Sequence, residues 1–317
     1  MKKITLLLFT SILATVGYSQ QFPLQSQYQF NYSSSNPAAV GENEFYSVRA
    51  SFRSQWLGFA NKPIATQYFT LTKGIGNNGL GISFVNDKTG GGYNKTGMAV
   101  SYSHKVPFTG SDLFFGISAG GSQMNLDLNA EDPVVLSNND FVPEVIFGAY
   151  YKIKDFKIGV AVPGLLTSNM EFSESEDNIV ERNFCTMVSY QKKLNHQWSV
   201  FPSIHWKAAP TTHQLDANIN FKLRNKIWLG TSYRTDYGPS IYLGIDFGRL
   251  FSIYSTDIST TEMANHSNGT HEFTIGYDFI PLDEIEKDRR EREKEKEFEN
   301  DKDKDGIEDK SWRMEYN

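Results

Sequence analysis

Four aspartates near the C-terminus have the spacing of a calcium loop. They are Asp301, Asp303, Asp305 and Asp309, and Gly306 lies between the last two. Carboxylates at alternate positions can converge on one hard cation, and the glycine permits the sharp turn that such a loop needs. The pattern predicts that these four side chains bind Ca²⁺.

The aspartate motif is incomplete as an EF-hand. Its twelfth position is Trp312, so the bidentate glutamate is missing. The motif is more similar to one thrombospondin type 3 repeat, and a single loop acting alone is expected to bind calcium weakly. The alternative is an acidic tail that only keeps the C-terminus soluble, and the residues leave both interpretations open.

Two glycine-rich motifs match enzyme signatures but lack the context that an enzyme needs. The segment Gly116–Gly120 has the spacing of a serine-hydrolase elbow, which requires a strand, a turn and a helix. Here it lies within a predicted strand, where Gly116, Ser118 and Gly120 share the face toward the interior. The segment Gly74–Gly79 matches a dinucleotide fingerprint but precedes a strand, so we interpret it as a hairpin turn.

The other chemically versatile residues form no recognisable site. The six histidines are scattered without the spacing of metal ligands. Cys185 is the only cysteine, so no internal disulfide forms, and we expect a buried, unreactive thiol on a strand. We predict that the protein is not an enzyme and that it has no cofactor apart from calcium in the tail.

Composition favours a protein made of strands. Aromatic residues make up 14% of the 317 residues, and hydrophobic residues only 39%. Beyond the first residues, no apolar run reaches the ~20 residues that a membrane helix needs. The net charge of -6 gives no indication of nucleic-acid binding.

Fourteen segments of the chain alternate as strands do, and the eighth is Val180–Lys192. The last, His271–Phe279, is predicted to close the series, and its apolar face can meet lipid or a second sheet. The long links 125–143, 163–179 and 257–270 all follow odd-numbered strands and so lie at one rim. Because this segregation is typical of outer-membrane barrels, we predict an all-β transmembrane antiparallel barrel of about 14 strands.

These patterns divide the chain into four regions. Residues 1–19 have the features of a cleaved secretory signal, and residues 20–43 form an N-terminal arm or plug. Residues 44–280 form the barrel, and residues 281–317 form a charged tail, where 283–300 is either a solvated helix or a disordered linker. With the long loops extracellular, both ends of the mature chain are predicted at the short-turn rim, in the periplasm.

Several short motifs of the arm, the first strands and two later links form a family pattern. They are Asn36-Pro37-Ala38, Arg53-Ser-Gln55-Trp56-Leu-Gly58, Asn86-Asp87, Asp132-Pro133 and Val162-Pro163. With these motifs, the chain resembles the PorP/SprF family of the Bacteroidetes type IX secretion system, and the resemblance covers nearly the whole barrel.

The resemblance implies an outer-membrane protein without catalytic residues that works with the type IX translocon. Members of the gliding-motility branch help to secrete a large adhesin and hold its C-terminal domain at the surface. The implied partners are that domain, the translocon with its periplasmic components, and outer-membrane lipid. Arg53, Trp56 and Gly58 at the end of strand one either shape a surface dock or cap the barrel wall. The alternative function is a passive channel or hydrophobic-solute transporter, because such a barrel can enclose a lumen.

Overall fold

Strands form where the sequence alternates, and they pair in order around a closed ring. The computed structural model describes residues 24–58, 64–89, 93–126, 139–165, 168–169, 179–180, 182–210, 212–235, 237–258, 267–287, 290 and 293–294. The strands are β1 (Ser47–Gln55), β2 (Ile64–Ile75), β3 (Asn78–Thr89), β4 (Tyr93–Phe108), β5 (Ser111–Leu126), β6 (Asn139–Ile153), β7 (Phe156–Val162), β8 (Ser168–Asn169), β9 (Ile179–Val180), β10 (Phe184–Tyr190), β11 (Lys192–Lys193), β12 (Trp198–Ala208), β13 (His213–Leu223), β14 (Ile227–Arg234), β15 (Gly238–Asp246), β16 (Leu250–Asp257) and β17 (Thr270–Asp278).

The ring closes where the last strand meets the first. β17 pairs with β1 in antiparallel register, from Ser47 opposite Asp278 to Ser54 opposite His271. The fifteen segments of this sheet correspond to fourteen barrel strands, because β10 and β11 both pair with β12 and only Gln191 separates them. The predicted antiparallel barrel, closed by the segment that contains β17, is confirmed.

The apolar face of the strands points outward. Met98 and Val100 on β4 are 62% and 59% exposed, whereas Ser103 on the same strand is fully buried. On β15, Leu243 is exposed and its neighbour Tyr242 is buried. Outward apolar and inward polar residues are the arrangement of a membrane barrel, because lipid rather than water surrounds the wall. Of the two environments that the alternation leaves open, lipid is the one that fits.

Exposed aromatic side chains mark both ends of the wall. The end with short turns has Tyr46, Phe108, Phe156, Phe247 and Phe279, and the opposite end has Phe52, Phe141, Phe184, Trp206 and Tyr233. Aromatic girdles of this kind lie at the two membrane–water interfaces of barrels, with the apolar band between them.

The two rims differ in the length of their links. Links after β2, β4 and β6 are tight turns, and we call their end of the barrel the short-turn rim. The longest links follow β5, β7 and β16 at the opposite end, which we call the long-link rim. The segment Gly74–Gly79 is a hairpin turn as predicted, with Gly76 at φ +59° between β2 and β3.

Two strand boundaries differ most from the predictions. Val180 does not begin the eighth barrel strand, because β9 pairs with β8 in a separate ribbon and the barrel strand begins at Phe184. β6 begins at Asn139 rather than Glu144, because its polar first residues pair with the end of β5, where Asn125 lies opposite Asn139. In both places the partner strand decides the boundary, which local alternation does not reveal.

The described part of the tail begins as a helix at the short-turn rim. Residues 282–287, 290 and 293–294 are helical. Arg290 and Glu286, one helical turn apart, form an exposed ion pair of 3.6 Å. Within the part of the chain that the structure describes, no helix combines the length and the apolar character needed to span a membrane.

Candidate functional site

The N-terminal arm lies inside the barrel. It forms three short 3-10 helices, Tyr28–Phe30, Tyr32–Ser34 and Pro37–Gly41. The third helix packs against β2, β3, β4, β5 and β6, and the side chain of Gln27 reaches β16 and β17 on the other side of the ring. Since the arm contacts opposite walls, residues 24–43 occupy the lumen, and we call them the plug.

Asn36 joins the plug to the barrel wall. Its Oδ1 accepts a hydrogen bond from the backbone N–H of Ala38 at 2.9 Å and so caps the third helix. Its Nδ2 donates to the carbonyls of Ala149 on β6 at 3.1 Å and Val160 on β7 at 3.2 Å. Pro37 follows at the first helical position, where a missing N–H leaves no hydrogen bond unmade. The Asn36-Pro37 motif therefore shapes and anchors the plug.

Glycines on the inner wall leave the space that the plug fills. A Cβ atom at Gly148 would collide with Oδ1 of Asn36, and one at Gly159 would collide with the hydroxyl of Tyr32. Because the atoms that would clash belong to buried, hydrogen-bonded groups, they have no room to move aside. β6 and β7 are thus fitted to the plug at these two positions.

A buried charged cluster holds the plug near the long-link rim. Arg53, two residues before the end of β1, pairs with Asp257 at 2.6 Å and with Glu272 at 3.1 Å. Glu272 also accepts hydrogen bonds from the backbone N–H groups of Ser26 at 2.7 Å and Gln27 at 3.0 Å. We call these five residues the Arg53 cluster. Each buried charge in it has an opposite charge and hydrogen bonds, which offset the loss of hydration.

A second buried ion pair lies beside the Arg53 cluster. Nε of Arg234, the last residue of β14, donates to Asp216 at 2.7 Å, and its Nη2 donates to the carbonyl of Gln25 at 2.9 Å. The hydroxyl of Tyr242 donates to the carbonyl of Ser26 at 2.9 Å. The backbone of the plug therefore finds its partners on charged and polar side chains of the wall.

The described part of the plug runs along the lumen from one rim to the other. Gln25 contacts the end of β14 at the long-link rim, whereas Gly41 and Asn43 contact Gly79 and Gly74 at the short-turn rim. The described arm therefore runs from the long-link rim to the short-turn rim before β1 begins. The reason is that the polar partners of its first residues lie at the long-link ends of the strands.

Glu42 anchors the plug at the short-turn rim. Its carboxylate contacts Lys157 at 2.6 Å and Lys152 at 3.3 Å and accepts a hydrogen bond from the hydroxyl of Tyr150 at 3.0 Å. Burial by itself would raise the pKa of Glu42, but the two lysines outweigh it and hold the pKa below its usual value of 4.5. The plug is thus tied by charge at both ends.

The motif at the end of β1 is divided between the lumen and the link. Arg53 and Gln55 are buried on the inner face. Trp56 has φ +50°, and its backbone N–H donates to Oγ1 of Thr270 at 3.2 Å, while Gly58 has φ +81°. Of the two roles considered for this motif, the structural one fits Arg53, because only 4% of its surface is exposed.

The remaining predicted site residues are not gathered with the plug contacts. Asp87 on β3 accepts a hydrogen bond from Oγ1 of Thr66 at 2.6 Å. Asp132 and Pro133 lie outside the described residues, as do the four aspartates between 301 and 309 and the signal 1–19. Within the described ranges, no group of three or more His, Cys, Asp or Glu side chains is arranged to hold a metal ion.

The sequence did not single out the charged partners of the plug. Asp257, Glu272, Asp216 and Arg234 are charged residues on the inner faces of strands, close to the long-link rim. The signal that could have found them is a charged residue at an inward-facing strand position. A buried charge without a partner is strongly destabilising, so such a residue indicates an ion pair. The sequence does not show which of these charges form pairs, because Arg53 is more than two hundred residues away from Asp257 and Glu272 along the chain.

The family follows from the sequence comparison. A model of the family described as type IX secretion system membrane protein PorP/SprF matches residues 17–277. The chain belongs to this family. The predicted resemblance is thereby confirmed, and this PorP/SprF protein is an outer-membrane component of type IX secretion. No curated protein is similar enough in sequence to count as a relative.

Solved structures similar to this PorP/SprF protein share its barrel fold. The toluene transporter TbuX of Ralstonia pickettii matches with a TM-score of 0.51 and 12% identity, over 83% of this chain and 95% of that one. A FadL homologue of Pseudomonas aeruginosa matches with a TM-score of 0.49 and 11% identity, over 82% of this chain and 95% of that one. At such low identity, the likeness to TbuX shows the fold alone.

Proposed function

We propose that this PorP/SprF protein is a non-catalytic part of the type IX machinery that helps to secrete a cognate exported protein and then holds its C-terminal domain at the cell surface. The observation that carries the proposal is membership of the family over residues 17–277. The filled lumen supports it, because a barrel that encloses its own plug offers binding surfaces rather than an open route. Holding a partner needs such a rigid, pre-shaped surface and no reacting groups.

In this proposal, the long-link rim faces the outside of the cell and presents the docking surface. Long extracellular loops and short periplasmic turns are the rule for outer-membrane barrels. The charged tail, residues 281–317, then extends into the periplasm and contacts the periplasmic components of the translocon. The mixed charges of its described helix suit a solvated, partner-facing element.

Removal of the gene tests the proposal. Surface proteins of the deletion strain and the parent are labelled with a reagent that does not cross the outer membrane, and are then compared. We expect one large exported protein with a C-terminal secretion domain to disappear from the surface and to return when the wild-type gene is restored. Unchanged display of all such proteins in the deletion strain would overturn the proposal.

The alternative function is a passive channel or hydrophobic-solute transporter. Only the fold likeness to a transporter favours it, and the plug opposes it because its charged and aromatic contacts with the wall extend along the lumen from rim to rim. Conductance in planar lipid bilayers separates the two functions. We expect the purified protein to show no steady open state, and a stable open pore of the intact chain would favour the channel.

A further inference from the structure

A cavity lies between the plug and the wall at the long-link end of the lumen. Its volume is about 190 Å³. Gln25 and Tyr28 line it from the plug, and His205 and Lys207 line it from β12. Pro163, in the link after β7, lies at its outer end and is partly exposed, so the cavity faces the long-link rim.

Several polar groups that line this cavity have donors or acceptors without a hydrogen-bond partner. His205 is 1% exposed, yet neither of its ring nitrogens has a hydrogen-bond partner. The side-chain nitrogen of Gln25 is buried and equally unpartnered. Lys207 is 6% exposed, and its ammonium forms no ion pair with the residues that the structure describes. Because such groups lose their hydration on burial, they are costly unless something completes their bonding.

The acidic residues near the cavity are already engaged with other cations. Asp216 pairs with Arg234, and Glu144, which also lines the cavity, pairs with Lys95. The two acids of the Arg53 cluster are held by Arg53. Asp216 is near enough to attract the ammonium of Lys207, but Arg234 already balances the charge of Asp216. One positive charge is therefore left in excess, beside two unfilled donors.

We infer that this cavity binds a carboxylate group entering from the long-link rim. Lys207 supplies the charge, and His205 and Gln25 supply hydrogen-bond donors to the carboxylate oxygens. One ammonium balances a single negative charge, which suits a carboxylate better than a phosphate dianion. The carboxylate belongs either to a small acid or to the end or side chain of a polypeptide. The inference stands apart from the proposed function, because a small acid would occupy the site without any exported protein.

Titration of the full mature chain in detergent micelles tests the inference. The protein carries 15N-labelled histidine, and the ring signal of His205 is identified by its absence in His205→Gln. Four probes are used. They are propionate, its uncharged amide propionamide, and a glycine-serine octapeptide in two forms, one with a free and one with an amidated C-terminus. We expect propionate or the free-acid peptide to move the His205 signal saturably, and neither amide to do so.

The two carboxylate probes distinguish the source of the group. Saturation by the free-acid peptide at a concentration at least tenfold below that of propionate assigns the site to a polypeptide, and the opposite order assigns it to a small acid. The inference is overturned if the amides shift the signal as the acids do, or if none of the four probes gives a saturable shift.

Variants add an independent readout. Lys207→Met removes the charge at similar volume, and we expect it to weaken binding of the carboxylate probe at least tenfold. Lys226→Met, at an exposed lysine of the short-turn rim, is the matched control and should bind as the wild type does. If Lys207→Met fails to give the heat-modifiable mobility of a folded barrel, Gln25→Met takes its place, with an expected loss of at least threefold. Unchanged affinity in the folded variant would overturn the inference.

Discussion

At the scale of single residues, Arg53 is the side chain that holds the end of the plug near the long-link rim. Its guanidinium serves two carboxylates at once, and one of these carboxylates also binds two backbone N–H groups of the plug. The planar fork of arginine can divide its donors in this way, whereas a lysine ammonium is a point charge. One residue therefore couples β1, β16, β17 and the plug.

Arg53→Met should destabilise the protein strongly. Glu272 and Asp257 would stay buried without their cation, which typically costs about 3–5 kcal/mol. The measurement is urea unfolding of the purified protein in detergent. Arg290→Met, at an exposed pair of the tail helix, serves as the control and should change the unfolding free energy by less than about 0.5 kcal/mol. Equal unfolding midpoints for the two variants would contradict this role of Arg53.

Glu42 should make the stability of the plug depend on pH. Because its pKa in the folded protein is below the usual 4.5, its stabilising effect is present above that value and is lost as the pH falls through the lowered pKa. We expect the wild type to be more stable than Glu42→Gln at neutral pH, and the difference to vanish as the pH falls below that lowered pKa. Urea midpoints measured across this range check the prediction.

Glu44→Gln is the matched control for Glu42. The side chain of Glu44 is 73% exposed and lies 3.9 Å from its lysine, so its removal should change the midpoint little at any pH. A pH-dependent difference of the same size for both variants would mean that burial of Glu42 beside its two lysines is not the cause.

At the scale of elements, the plug and the wall are shaped for each other. The third helix of the plug packs against five consecutive strands, and the glycines of β6 and β7 supply the space for Asn36 and Tyr32. The wall has glycines where the plug packs most closely, and the plug covers polar atoms of the wall. Neither element has a well-satisfied interior without the other.

Gly148→Ala should loosen the plug from the wall. The added methyl group displaces Asn36, and the buried amide then loses hydrogen bonds to β6 and β7 at a cost of about 1–3 kcal/mol. The readout is the unfolding midpoint, with Ala119→Val on the lipid-facing side of β5 as a control that adds one carbon more than Gly148→Ala does. If the two variants unfold alike, close packing at Gly148 is not what holds the plug.

The tail carries a prediction of its own. We expect Ca²⁺ to bind the full mature chain weakly, through Asp301, Asp303, Asp305 and Asp309, because carboxylates at alternate positions can share one cation. Calorimetry in detergent should show heat of binding for the wild type and none for a variant with all four aspartates changed to asparagine. Identical traces would leave the tail as an acidic, solvated segment.

At the scale of the whole molecule, the protein is a closed barrel with the plug bound inside its lumen. Its outer face is apolar and suited to lipid, while its interior is polar, charged and occupied by the first described segment of the same chain. Charge ties that segment to both rims. This organisation supports the proposed role as a membrane-held scaffold for a partner.

Removal of the plug should open the barrel. We expect a chain lacking residues 24–41 to conduct ions in planar bilayers, because the emptied lumen is lined by polar and charged side chains. The wild type measured in parallel provides the closed reference. If the shortened chain folds, as its heat-modifiable mobility would show, and still does not conduct, then the long links rather than the plug close the barrel.

Much of the wall could be predicted from the sequence, because alternation is a local property. Successive side chains of a strand point to opposite faces of the sheet. Alternate residues such as Met98 and Val100 therefore identify an apolar face even when the neighbouring strands are unknown. The same reasoning predicts the closing segment 271–279. The turn residues predict the hairpin at Gly74–Gly79, and the link lengths predict the rim that carries the long links. Strand ends were less predictable, since β6 gains its first residues only through pairing with β5.

The sequence by itself determined that the chain forms alternating strands with one apolar face, and its motifs determined the family. Only the tertiary structure decided what fills the lumen and in which direction the arm runs. The physical reason is that closing the ring brings together groups from distant parts of the chain. Arg53 meets Asp257 and Glu272, and Glu42 meets Lys157, only because the wall encloses them and their charges must find partners away from water.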